Sequence, residues 1–412
     1  MTMLHVNRDR LWQSLMEMAE IGATPAGGVG RLPATDEDKI ARDLFVTWLK
    51  EANCDVTIDG VGNIFGSRAG SDASRAPVLA GSHLDSQPLG GKFDGAYGVL
   101  AALEVIRTLN DAGLSTQAAF EAVNWTDEEG CRFTQGVLGS SVFSGHLDLE
   151  TALADQDPDG LMLGHELARI GYIGDAPVGG RKIAAYFEAH IEQGPILEQE
   201  KKPVGIVVGA QARRCYIVTV SGTQGHAGTV PMVRRKDASH ATAKMIDAVI
   251  GTAYRQDPVP VVTVGAIHVT PNARNTIPRK LIFSIDSRSP DDNILIAAGN
   301  EMKEACNTIA KEMGVELDFS FASSIQPVDF DVDCVSTVRR AAEKLDYPHM
   351  DIFSGAGHDA CNISLFAPTG MIFVPCADGV SHAEEEAADP DDLAKGCDVL
   401  LHAVLETAGI AS

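Results

Sequence analysis

The eight cysteines of this 412-residue chain, at 54, 131, 215, 306, 334, 361, 376 and 397, include no C-x-x-C pair. They are scattered through apolar surroundings, which fits reduced, mostly buried thiols rather than a disulfide framework. No stretch reaches the roughly 20 apolar residues of a membrane span. The opening segment MTMLHVNRDRLWQSL lacks the apolar block of a signal peptide. There is no basic run, no internal repeat and no low-complexity tract. The net charge is -24 and the pI is near 4.8. Such a surface repels nucleic acid and anionic membranes, so neither is expected as a partner. Apolar residues at 45% and charged residues at 22% are ordinary for a soluble globular protein and argue against general disorder. A cytoplasmic location is the default expectation. The length exceeds one ordinary core and implies two or three domains.

The order of patterns predicts an α/β fold. A helix is expected over about 7–20, then a Gly/Pro-rich loop. A helix capped by Thr35 or Asp36 follows and runs to about Ala52. Residues 76–84, 117–125, 184–194 and 202–210 read as strands, and 94–113 as a helix ended by Gly113. Strands alternating with helices imply a sheet with helices on its faces. Near Arg213 the texture changes to apolar/polar alternation. Segments 214–222, 237–251, PVVTVGAIHVT, RKLIFSIDSRS, 291–313 and VELDFSFAS follow the order β-α-β-β-α-β of a ferredoxin-like unit. The expected organisation is a discontinuous catalytic domain, 1–211 and 326–412, with an inserted ferredoxin-like domain at 212–325. The closing part should hold helix 336–345, strand 371–376 and a helix after Asp389.

Four strand ends carry unexplained polar residues. In GSHLDSQPLGGKFDG, His83 ends a strand. Asp85, two residues on, could accept the second imidazole N–H and fix the tautomer, as happens behind zinc ligands. Asp94 follows a Gly-Gly turn at a helix start, where the dipole favours a carboxylate. On these residues alone a polar strand end and an N-cap serve equally well. In NWTDEEGCRF, acids 127–129 follow a strand at the edge where open α/β sheets place their sites. A solvated loop is the plain alternative, but Trp125 and Phe133 favour partial burial. Adjacent buried carboxylates need cations or protons to persist. His190 in EAHIEQGP again ends a strand, and His382 in GVSHAEEE lies in a loop after one. Imidazole mixed with carboxylate suits Zn²⁺, with Mn²⁺, Co²⁺ or Ni²⁺ as alternatives.

On these strings, together with SGTQGHAG, FSIDSR and GAGHDA, the whole chain resembles the M20-type metallohydrolases. Within them it is similar to the hydantoinase/carbamoylase amidases: N-carbamoyl-L-amino-acid hydrolases, β-ureidopropionases and allantoate amidohydrolases. The resemblance implies two divalent metals bridged by Asp94, one completed by His83 and His190, the other by Glu129 and His382. It implies Glu128 as the general base and a homodimer joined through the inserted domain. It also implies that His226 stabilises the oxyanion in the partner's site, that Asn275 and Arg288 hold the substrate carboxylate, and that Gln193 and His358 make further substrate contacts. Taken without it, His226 reads as a turn residue, and Arg288 equally well as an exposed sheet residue. An active site completed from an inserted domain implies closure, with hinges near 210–213 and 324–327. The leading expectation is hydrolysis of N-carbamoyl-L-amino acids. Ureidopropionate or allantoate cleavage on the same ligands, a metallopeptidase, and a metal-free scaffold remain as alternatives.

Overall fold

A computed structural model describes residues 3–411. The chain divides into two compact units, 1–208 with 329–412, and Gly209–Val328. Among the described residues the first unit is built on a nine-stranded sheet. Its main path runs Asp55–Ile58, Ile64–Arg68, Phe120–Trp125, Val78–His83, Ala185–Ile191, Thr369–Val374, Val204–Ala210 and Val328–Asp329. The four middle strands, from Phe120–Trp125 to Thr369–Val374, are mutually parallel. Every one of their residues is buried, as expected of parallel strands covered on both faces. The outer pairings are antiparallel, so the sheet is mixed. Helices Ala96–Asp111 and Pro390–Ala408 pack on the parallel strands and on each other.

This arrangement positions the site. Parallel strands in register end along one edge: His83 lies opposite Trp125, and Phe373 opposite His190. The loops that follow them begin side by side, the place where α/β sheets assemble ligand sites. The close strand spacing depends on Gly81. A Cβ there would lie 2.0 Å from the Val123 carbonyl oxygen, a backbone atom of the paired strand.

The second unit has sheet order Ile267–Thr270, Lys280–Ser289, Ala212–Ser221, Glu316–Ile325. Helices Ala238–Ala253 and Asp292–Met313 cover it. Val218, Val220, Phe283, Ile285, Met245 and Met302 form the centre of its core. PVVTVGAIHVT is not one strand, as its apolar run suggested. Val261–Thr263 and Ile267–Thr270 both pair with Lys280–Ser289, but Thr263 faces Asp286 whereas Ile267 faces Phe283. The one-residue change of register makes 264–266 a bulge. Two regions without strong periodicity were not foreseen: the hairpin at 55–68, and the short helices Leu138–Phe143, Leu149–Leu153 and Leu163–Ile170. The expected 336–345 helix starts earlier, at Val332, because Asp331 caps it through the Asp333 and Cys334 amides.

Gly81→Ala is expected to destabilise the chain by about 1–3 kcal/mol through overpacking against a backbone that cannot withdraw. The thermal midpoint measures it, and an unchanged midpoint would contradict this view of the sheet.

Candidate metal centre

Asp94 lies at the convergence of the four strand ends. One carboxylate oxygen is 3.2 Å from His190 Nε2 and 3.7 Å from His83 Nε2. The other is 3.2 Å from His382 Nε2, and that nitrogen is 3.5 Å from Glu129 Oε2. Two ligand-like groups result, His83–Asp94–His190 and Asp94–Glu129–His382, and they share Asp94. Burial disfavours the Asp94 carboxylate. The His190 and His382 hydrogen bonds and the nearby imidazole charges outweigh burial and hold it well below the usual range. Asp94 does not cap the helix: Gly95 is the N-cap residue, at φ 65, and no side chain caps that end. Only glycine fits at 95, since a Cβ would lie 2.3 Å from the His83 ring.

The imidazoles are oriented by backbone carbonyls. His83 Nδ1 is 2.9 Å from the Asp85 carbonyl oxygen, and His190 Nδ1 is 2.9 Å from that of Ile191. Each Nδ1–H is thereby engaged and each Nε2 is turned toward Asp94, with the Gly95 amide also 3.3 Å from His190 Nε2. This corrects the expected role of Asp85. Its carboxylate stands 3.7 Å from His83 Nδ1 and instead accepts from the Glu128 and Glu129 amides at 3.3 and 3.1 Å. The strand ends at His83, so the alternation that would have aimed Asp85 at the ring does not continue. Asp85 therefore holds the backbone of the two acids.

Glu128 reaches within 3.6 Å of His83 Nε2. Burial, then the charges of Asp359, Glu129 and Asp94, push its pKa well above the ordinary value. Gln193, at φ 56, donates to Asp94 at 2.8 Å and to the Ser381 hydroxyl at 3.3 Å. His358 is buried rather than open to a ligand. Its Nε2 is 2.9 Å from Ser354 Oγ, and its ring meets the His190 ring edge-on at 4.5 Å. Burial and the neighbouring His190 push its pKa well below the usual value, so it is a neutral wall against His190. A third cluster, Glu188–His190–His358, has its carboxylate engaged by Ser82 Oγ at 2.6 Å and the Ala360 amide at 2.8 Å.

Glu386 was missed in the acidic run 384–386, where nothing in the residue types singles out one acid. It accepts the Phe93 and Asp94 amides at 2.8 and 3.1 Å and the Ser381 hydroxyl at 2.9 Å. It ties the Asp94 loop to the His382 loop.

The other expected site residues lie in the second unit. The Gly225–His226 strand pairs with Thr276–Ile277, and the Asn275 carbonyl accepts the Ala227 amide at 3.0 Å, so His226 and Asn275 are neighbours. Both are exposed. Arg288 lies on Lys280–Ser289, where its Nε donates to Asp286 at 2.9 Å.

The metal-free site has a defined pH response. Burial opposes charge on His190, but Asp94 outweighs it and lifts the pKa to about 9. Asp94 likewise lifts His382 to about 8. A raised folded-state pKa stabilises the protein below the unfolded value of about 6.5, and the effect is lost as pH climbs through the folded value. The thermal midpoint of chelator-treated protein is therefore expected to fall between pH 6.5 and 9. A midpoint flat across that window would contradict the Asp94–imidazole geometry.

Residues 79–406 match peptidase family M20/M25/M40. The N-carbamoyl-L-amino-acid amidohydrolase of Rhizobium meliloti is 47% identical, with 98% of this chain and 97% of that one aligned. The enzyme of the same name from Geobacillus stearothermophilus is 39% identical over 98% and 99% of the two chains. The crystal structure of a hydantoinase/carbamoylase family amidase from Burkholderia multivorans superposes with a TM-score of 0.95, at 51% identity and 98% coverage of both chains. The chain belongs to peptidase family M20/M25/M40.

Proposed function

We propose that this protein is a metal-dependent amidohydrolase that cleaves the ureido C–N bond of N-carbamoyl-L-amino acids, giving the amino acid, ammonia and carbon dioxide. One observation carries the reading: Asp94 offers one oxygen to His83 and His190 and the other to the Glu129–His382 side, with Glu128 beside them. The names of the full-length relatives support the substrate class. The donor set fits two divalent cations, since Glu129 Oε1 is buried without a hydrogen-bond partner and both strand-borne imidazoles present Nε2. Imidazole and carboxylate donors favour Zn²⁺, with Mn²⁺, Co²⁺ or Ni²⁺ as alternatives.

When bound, such cations polarise the carbonyl and acidify the attacking water. Glu128 is the base that takes the water's proton and returns it to the leaving nitrogen. Its raised pKa suits a group that must hold a proton between those two steps. Asp85 keeps Glu128 and Glu129 in place through their amides. Gln193 and Ser381 steady Asp94, and His358 buttresses His190.

In the same proposal the second unit is a ferredoxin-like dimerisation domain. Its strand order and the exposed apolar side chains Ile217, Phe321 and Ile325 on its sheet support this. His226 is assigned to the oxyanion, and Asn275 and Arg288 to the substrate carboxylate, where a guanidinium can donate two parallel hydrogen bonds. A cytoplasmic setting is supported by eight cysteines that are all free thiols. No helix among the described residues is long and apolar enough to cross a membrane.

Glu128→Gln is expected to leave metal content unchanged and lower kcat by about 10²–10⁴-fold, measured on N-carbamoyl-L-amino acids with metal-loaded protein. Retained turnover would remove Glu128 as base. A panel that adds D-enantiomers, N-carbamoyl-β-alanine, allantoate and a dipeptide tests the substrate class. Preference for any of the last three would overturn it.

A further inference from the structure

Residues 155–166, DQDPDGLMLGHE, fit the pattern of a calcium-binding EF-hand loop. Asp155, Asp157 and Asp159 stand at its first, third and fifth positions, Gly160 at its sixth and Glu166 at its last. Helix Leu149–Leu153 precedes the loop, and Leu163–Ile170 overlaps its end. The turn is formed: Gly160 has φ 81, and Asp157 Oδ1 accepts the Asp159 and Leu161 amides at 3.0 and 2.9 Å. The Arg132 guanidinium lies between two of these acids, Asp157 and Glu166, and Arg169 Nε also donates to Glu166, at 3.1 Å. Arg132 Nε donates to Asp157 at 3.1 Å and Nη2 to Glu166 at 2.9 Å, while Nη1 donates to the Pro33 carbonyl at 2.9 Å. The side chains of Arg132, Asp157 and Glu166 are 10%, 6% and 12% exposed. The Arg132 hydrogen bond holds the Glu166 carboxyl below its usual range.

Arg132 belongs to the loop that carries Glu128 and Glu129. The base of that loop is closed by the Val137, Leu138 and Gly139 amides, which donate to the Glu128, Asp127 and Thr126 carbonyls at 2.6, 3.0 and 2.8 Å. Its tip is tethered by Asp155, which accepts the Thr134 and Gln135 amides at 2.9 and 3.1 Å. Glu128 and Glu129 thus lie at the start of a loop that Asp85 engages at their amides and that Arg132, three residues on, ties to Asp157 and Glu166.

We propose that Arg132 is the built-in cation of this EF-hand-like loop and a positioning residue for Glu128 and Glu129. A planar guanidinium with donors in fixed directions meets Asp157, Glu166 and Pro33 at once, which a lysine ammonium on a flexible stem does not reproduce. The role rests on the proposed hydrolase activity for its kinetic readout but not for its structural one.

The test compares wild type, Arg132→Ala, Arg132→Lys and the double variant Arg132→Ala/Glu166→Gln, all metal-loaded. For Arg132→Ala, kcat is expected to fall about 10–100-fold, the range seen when partners behind a metal site are removed, with KM within about twofold. Ethylguanidinium at millimolar concentration restores part of kcat to Arg132→Ala and none to the double variant, and Arg132→Lys stays impaired. Amide exchange at 137–139 quickens in Arg132→Ala and slows again with ethylguanidinium, while exchange in strand 280–289 of the second unit stays unchanged. Added Ca²⁺ leaves exchange at 155–166 of wild type unaltered. A fallen thermal midpoint with wild-type kcat, a defect that ethylguanidinium does not relieve, or Ca²⁺-dependent exchange in wild type would each overturn the proposal. Absence of turnover on N-carbamoyl amino acids by wild type would refute the hydrolase reading alone, because the exchange measurements need no substrate.

Discussion

A single buried carboxylate, Asp94, has histidines on both of its oxygens, and the other strand ends are arranged around it. Burial by itself would protonate an isolated acid. Here the His190 and His382 contacts keep it ionised, and Asp94 in turn raises both imidazoles. The neighbouring acids shift the other way: Glu128 is raised by burial and by the charges of Asp359 and Glu129, and Glu129 by burial and by the charge of Asp94. Without cations burial and mutual repulsion drive these acids toward the protonated form, and a cation that lets them ionise is the physical reason to expect metal there.

The rest of the fold serves this convergence. Parallel strands put four strand ends on one edge, and polar contacts then fix the loops that follow. Asp85 accepts the Glu128 and Glu129 amides, Glu386 accepts those of Phe93 and Asp94, and Gly95 leaves space for the His83 ring. Arg31 is a comparable element in the N-terminal segment. Its buried guanidinium donates to the Leu84 carbonyl at 2.5 Å and to those of Met18 and Ile21, so it fastens the exit of the His83 strand to the first helix. Buried polar groups that are fully paired fix one geometry, because any displacement leaves a group unsatisfied.

Much of this was legible in the sequence, for identifiable reasons. Strands such as VLAGSH and TGMIFV are buried on both faces, so they stand out as largely apolar runs. Long helices with strong caps were placed to within a few residues. What escaped depended on contacts remote in sequence. Alternation suggested that Asp85 would face His83, but the strand stops at His83 and the carboxylate turns to the Glu128 and Glu129 amides instead. Glu386 could not be told from Glu384 and Glu385, because its selection comes from amides nearly 300 residues away in the chain. The bulge at 264–266 left no mark, since an apolar run reads alike with or without a register shift.

In the proposed function one carboxylate serves two cations. Metal content after loading with Zn²⁺ and removal of excess, compared for wild type, His382→Ala and Asp94→Ala, tests it directly. About two ions per chain are expected in wild type, about one in His382→Ala, and almost none in Asp94→Ala. Full occupancy in folded Asp94→Ala protein would contradict it.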